Sequence, residues 1–152
     1  MTANRYYEDL DPGQSQASGT AHLSLAECLE FSRKFDPQPM HIDSVAAEKS
    51  RFRGLIASGW HTAAVAMKLI AEARMMGDTE MLGMGVEELR WHLPVRPGDT
   101  LQVTIEVVSK KPSESNPFFG IVKFKMTTKN QKDEVVMTHS PICWVPRREQ
   151  AV

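Results

Sequence analysis

The stretch SGWHTAAVAMKLIAEARMM, Ser58 to Met76, decides the fold. Between Ala63 and Ala73 only Lys68 and Glu72 interrupt the apolar residues. A helix that is apolar on most sides has little polar face to offer water, so it is expected to be buried, most simply by a sheet wrapped around it. Its alanines would let that sheet approach closely. Ser58 is a good N-cap, and Gly59 permits close backbone approach. The spacing predicts one continuous buried helix from about Ser58 to Met76.

Beyond Gly77 the period changes from helical to alternating. Leu101, Val103, Ile105 and Val107 alternate with Thr100, Gln102, Thr104 and Glu106, the pattern of a strand with one buried face. Glu88 to Leu93 alternates too, and Arg96-Pro97-Gly98-Asp99 supplies the turn between the two. Phe118 to Thr128 and Glu134 to Val145 read as further strands, joined by the polar turn Lys129 to Asp133, with Pro112 to Pro117 as a longer hairpin loop. Pro141 suggests a bulge or an edge in the last strand. On the N-terminal side, Ser24 with Glu27 forms a capping box. It opens a helix whose buried side would be Leu25, Leu29, Phe31 and Phe35, and Asp36-Pro37 stops it. Asp43 or Ser44 caps a short second helix, and a short strand is expected near Thr20 to Leu23. The order defines an α+β domain, helices segregated to one face of an antiparallel meander. One domain covers residues 1–152, with 1–19 expected to be irregular and 146–152 a flexible tail.

Composition narrows the function. The chain has 152 residues, 41% hydrophobic and 24% charged, with a formal net charge of -1. Such a balance gives no footing for nucleic acid or for a polybasic membrane surface. No apolar run is long enough to span a bilayer, and MTANRYYEDLDPGQ lacks an apolar signal core. Cys28 and Cys143 show no CxxC spacing and are read as reduced. A cytoplasmic protein is expected.

Chemistry concentrates in FDPQPMHIDS, Phe35 to Ser44. A turn accounts for the prolines, yet the same rigidity could hold Asp36 and His41 in fixed relation. Histidine exchanges protons near neutrality, and a neighbouring carboxylate can orient it or share a water with it. Free N–H groups at the start of the Ser58 helix, Gly59 first, could stabilise a developing oxyanion. His41, Asp43 and His61 have no metal-binding spacing, so no metal is expected. His22, His92 and His139 read as structural or exposed, and Met67, Met75 and Met76 as packing.

Asp36-x-Gln38-Pro39-x-His41-x-Asp43 followed by Gly54-x-Ile56-Ala57-Ser58-Gly59 resembles the D-x-N-P-x-H and G-x-I-A-H-G signatures of the MaoC-like, (R)-specific enoyl-CoA hydratases. Arg96-Pro97-Gly98-Asp99-Thr100 and the strand after it are also similar, so the resemblance runs from about Ser24 to Val145. Gln38 stands where the family usually has Asn, and Ser58 where many members have His. The resemblance implies a hotdog fold, a long helix wrapped by an antiparallel sheet, and at least a homodimer with sites at the shared interface. It implies an acyl-CoA thioester substrate, with coenzyme A entering as part of the substrate and no separate cofactor. Asp36, His41 and the Gly59 amide would be catalytic, and Gln38, Ser58 and Trp60 would border the substrate. Arg51 and Arg53 could meet the phosphates of coenzyme A. A hotdog thioesterase, for which Glu72 would be the acidic candidate, and a non-catalytic acyl-CoA-binding paralogue are the alternatives.

Overall fold

A computed structural model describes residues 3–148. Five strands form one antiparallel sheet: β1 (Ser15–His22), β2 (Leu82–Trp91), β3 (Thr100–Pro112), β4 (Phe119–Lys129) and β5 (Val135–Pro146), in the order β1-β3-β4-β5-β2. Four helices, α1 (Leu25–Phe35), α2 (Pro39–Ile42), α3 (Ser44–Lys49) and α4 (Gly59–Glu72), fill the span between β1 and β2. The antiparallel hotdog domain expected from the sequence is the domain found.

Local chemistry places these elements. Ser24 and Glu27 close their capping box at the start of α1, and Asp36 ends it. Asp43 caps α3 through the Val45 and Ala46 amides. In β3 the inner side chains Leu101, Val103, Ile105 and Val107 are all buried. They form the core with Val122, Phe124 and Met126 of β4 and with Ala66 and Leu69 of α4. Burying each large apolar side chain contributes roughly 1.5–3 kcal/mol.

Four expectations need correction. The long helix stops at Glu72, and the chain turns through Arg74 and Gly77, both at positive φ, before Met75 and Met76 can extend it. Nor is α4 buried all round. It packs on β1 and β3, leaving Trp60 and Met67 exposed on its other side. In α1 the buried residues are Cys28 and Ser32, while Leu25 and Phe35 face solvent. Pro141 lies on an interior strand, not an edge; β4 simply makes no ladder pair with it, and the bulges lie opposite, in β2.

The ends differ from expectation as well. β1 begins at Ser15, inside the span expected to be irregular, and a 3-10 turn occupies Tyr7–Asp9. Tyr7 packs against Gly120, where any Cβ would lie 2.0 Å from the ring. Arg147 and the Arg148 amide bind the Glu8 carboxylate, so the chain just after β5 is anchored. Of the tail, residues 149–152 lie outside the described residues.

Candidate active site

The Asp36–Ser44 segment makes two tight turns because each proline removes a backbone donor and fixes φ. The Gln38 amide bonds to the Asp36 carbonyl and the His41 amide to the Gln38 carbonyl, so Asp36 and His41 end on the same side of the turn. The strand-like run before α4 lies alongside, with the Ile56 amide on the Met40 carbonyl and the Ala57 amide on the Val95 carbonyl.

His41 is 5% exposed. Nδ1 lies 2.8 Å from the Ile56 carbonyl oxygen. A carbonyl can only accept, so Nδ1 carries the hydrogen. In the neutral ring Nε2 is therefore the basic nitrogen. That nitrogen faces Asp36 Oδ2 at 3.3 Å. Ser58 Oγ donates to the same Oδ2 at 2.6 Å, and Gln38 Nε2 donates to Oδ1 at 2.7 Å. Partial burial pushes the Asp36 carboxyl up, but the Ser58 and Gln38 hydrogen bonds, and the charge of His41 when its ring is protonated, outweigh it and hold Asp36 below its ordinary value.

Ser58 has a second task. It is fully buried, and its Oγ also accepts from the Trp60 amide, capping α4. One hydroxyl thus ties the carboxylate to the start of the helix. The Gly59 N–H belongs to the first turn, where amides lack intrahelical acceptors. Among the described residues nothing accepts from it. Glycine is required here by its neighbour: a Cβ at position 59 would lie 2.6 Å from Cε2 of Trp91. The Trp91 Nε1 in turn donates to the Gly59 carbonyl at 2.9 Å, and Trp60 meets the Trp91 ring edge to face at 5.2 Å.

Asp36, Gln38, His41, Gly59 and Trp60 all border one cavity of about 420 Å³. Ser58 stands behind it. Gln38 reaches the cavity but spends its amide hydrogen on Asp36. Arg51 and Arg53 do not border it: Arg51 lies over the Phe52 ring at 5.0 Å, and Arg53 lines a separate shallow depression beside Arg96. His61 stacks on Phe31 at 4.7 Å, away from His41. Trp91 and Phe52 were not foreseen. Trp91 arrives from the far end of β2, and only a fold brings it over Gly59. A larger cavity, about 590 Å³, lies elsewhere, between the C-terminal half of α4 and strands β2 and β5. It shares no residue with the smaller one and holds no carboxylate–imidazole pair, so the smaller is the candidate site for proton chemistry.

The fold is a hotdog, and a carboxylate–imidazole pair lies beside the start of its long helix. The profile of the MaoC like domain matches residues 10–130, and the chain belongs to that family. A MaoC-like dehydratase from Rhodospirillum rubrum is 40% identical and superposes with a TM-score of 0.90, over 95% of this chain and 99% of that one. The uncharacterized protein YdeM of Bacillus subtilis is 36% identical over 80% of this chain and 84% of its own length. A 3-hydroxybutyryl-CoA dehydratase of Methylorubrum extorquens is 26% identical over 96% of this chain and 87% of its own.

Proposed function

We propose that the chain is a hydro-lyase that adds water to a 2-enoyl-CoA thioester or removes it from the 3-hydroxyacyl product. The observation that carries this reading is the fixed tautomer of His41. With Nδ1–H held by the Ile56 carbonyl, a basic Nε2 faces the Asp36 carboxylate across 3.3 Å. Two acceptors so placed suit a water that donates one hydrogen to each.

In the hydration direction, Asp36 and His41 hold that water, and the pair takes one of its protons. The oxygen bonds to the β-carbon. The C=C electron pair shifts to the α-carbon, with charge building on the thioester oxygen. The Gly59 N–H, reinforced by the positive end of α4, stabilises that charge. The pair then returns a proton to the α-carbon, which completes net addition of H and OH. Dehydration is the reverse. The thioester acidifies the α-proton itself, so the chemistry calls for no further cofactor, and coenzyme A comes with the substrate.

A thioesterase is disfavoured because its acidic candidate, Glu72, is exposed and sits 3.9 Å from Lys68 on the helix surface. Arg51, exposed beside the Phe52 wall of the cavity, remains the better of the two arginines for the phosphates of coenzyme A. A panel of enoyl-CoA and saturated acyl-CoA thioesters tests the assignment. Loss of the conjugated enoyl absorbance means hydration; release of free thiol instead would overturn it in favour of hydrolysis.

We also infer a homodimer joined along β2. That strand is one edge of the sheet, and Leu82, Met84 and Val86 are 62%, 50% and 57% exposed along it. An apolar edge of this kind is normally paired or covered. Antiparallel pairing of β2 with its own copy about a two-fold axis would cover it. Sedimentation at micromolar concentration checks this, and a monomer would refute it. No helix among the described residues is long and apolar enough to cross a membrane.

A further inference from the structure

The turn between β2 and β3 is tied down from several directions. The Arg96 amide donates to Asp99 Oδ2 at 2.8 Å, and the Asp99 amide donates back to the Arg96 carbonyl at 3.0 Å. Gln131, from the turn between β4 and β5, donates to Asp99 Oδ1 at 2.9 Å, and the Gly98 amide donates to the Leu23 carbonyl at 2.7 Å. From this base the Arg96 side chain crosses to the loop after α3. Its Nη2 donates to the Phe52 carbonyl at 2.6 Å, and its Nη1 to the Leu55 carbonyl at 3.3 Å. Among the described residues neither carbonyl has another donor. The loop needs such a hold. Arg53 stands at φ 53, in the left-handed region that a side chain disfavours and that persists only where the surroundings impose it, and Gly54 follows at φ 142.

That loop leads directly into the acceptor that sets the hydrogen on His41. The Leu55 carbonyl and the Ile56 amide belong to one peptide unit, and the next carbonyl, that of Ile56, takes Nδ1–H at 2.8 Å. A neutral imidazole has one ring hydrogen, and two acceptors here compete for it: that carbonyl at Nδ1 and the Asp36 carboxylate, 3.3 Å from Nε2. A carboxylate is the stronger acceptor of the two. The carbonyl keeps the hydrogen only while it is held close. Were it to withdraw, the ring hydrogen would exchange through water to Nε2 and bond to Asp36, leaving no basic nitrogen to face a reacting water. We infer that Arg96 is a positioning residue for the proton chemistry. By clamping the Phe52 and Leu55 carbonyls it holds the Ile56 carbonyl on His41, and so fixes the tautomer of the ring. The consequence for turnover rests on the hydro-lyase reading; the effect on the tautomer does not.

The test is the nitrogen NMR spectrum of His41 in protein carrying isotope-labelled histidine, taken at a pH where imidazoles are neutral and assigned by its absence in His41→Ala. Wild type should show a protonated Nδ1 and a pyridine-like Nε2. In Arg96→Met the two shifts should converge or exchange places as the Nε2–H form gains population. The kcat for enoyl-CoA hydration should fall with them, by about 10–100-fold, the scale of a small misplacement caused from outside the reacting groups. A wild-type pattern retained in Arg96→Met overturns the inference, even where the rate falls, because Arg96 would then act on the fold alone. Should Arg96→Met fail to fold, Arg96→Lys takes its place: it keeps the stem and the charge but not the planar fork. It should show the same mixing to a smaller degree, and wild-type nitrogens there overturn the inference. If wild type hydrates no enoyl thioester, the hydro-lyase reading has failed, and the spectra still decide the role of Arg96 by the same outcomes.

Discussion

Two cavities open along α4, and each contains a histidine, but the two imidazoles are held in opposite ways. In the smaller, Nδ1 of His41 is held by the Ile56 carbonyl, its Nε2 faces Asp36, and both oxygens of Asp36 accept hydrogen bonds. In the larger, His139 stands among methionines with Nδ1 unpartnered. A proton-transfer site needs its groups pre-set, since reorganisation during the reaction would raise the barrier. A wall of flexible thioethers is compliant instead. The same short domain supplies both by placing polar turns at one end of the helix and thioethers at the other.

The contrast can be broken most severely at the pair itself. Asp36→Asn or His41→Ala should each lower kcat for enoyl-CoA hydration by about 10²–10⁴-fold, roughly 3–5 kcal/mol of barrier, with the circular dichroism spectrum unchanged. The double variant should lose far less than the product of the two, because groups acting as one unit are not additive.

Next in size is backbone packing. Gly59→Ala drives a Cβ into Trp91, so it should cost about 1–3 kcal/mol in urea unfolding. Gly85→Ala, in the wall of the larger cavity, meets nothing within 4 Å and should be neutral or slightly stabilising. Equal effects at the two positions would show that the pre-set and compliant ends do not differ in rigidity.

Ser58→Ala removes one of the two hydrogen bonds that lower Asp36. Its carboxyl should rise, and the acid limb of the pH–rate profile should move to higher pH. The linkage has a definite sign. With a folded-state value below the unfolded one, Asp36 contributes stability above the unfolded value and loses it as pH falls through the folded value. Ser58→Ala should therefore shrink this contribution and complete its loss at higher pH. The smallest effect belongs to Asp43→Asn. Asp43 caps α3, and Asn caps about as well, so stability should change by less than about 0.5 kcal/mol, with kcat close to wild type.

What could be read from the sequence was local. The Ser24 capping box, the Asp36-Pro37 stop, the Asp43 cap and the alternation of Leu101 to Val107 each depend on neighbours a few residues away, and each stands in the structure. Asp36, His41 and Ser58 were legible because a short proline-ruled segment and a helix cap both have recognisable patterns. What escaped depends on distant contacts. Met75 and Met76 continue the apolar character of α4, yet the helix ends before them. Gly77 at φ 67 fits closely against Ala3 and Asn4, which no local pattern reveals. Alternation marks this strand only from Glu88, whereas β2 begins at Leu82 and includes Gly83 and Gly85, which carry no side chain to show the period. Leu25 and Phe35 were assigned to the buried side of α1 on apolarity alone, whereas the face that packs is the one bearing Cys28 and Ser32. Gln38 lines the smaller cavity, and its amide also reaches back to Asp36, a role that the spacing of two residues allows but does not announce.

The indole of Trp91 resting on Gly59 also has an optical consequence. Of the chain's three tryptophans, Trp60 and Trp91 border the smaller cavity, and Trp144 is stacked on Phe119 in β4 instead. The molecule thus carries an intrinsic fluorophore pair at the place where a ligand would arrive. Emission should change when a thioester enters, with no label attached, and Trp144→Phe should remove most of the silent background. Stopped-flow mixing of that variant with a saturated acyl-CoA would time arrival and departure separately from any bond making.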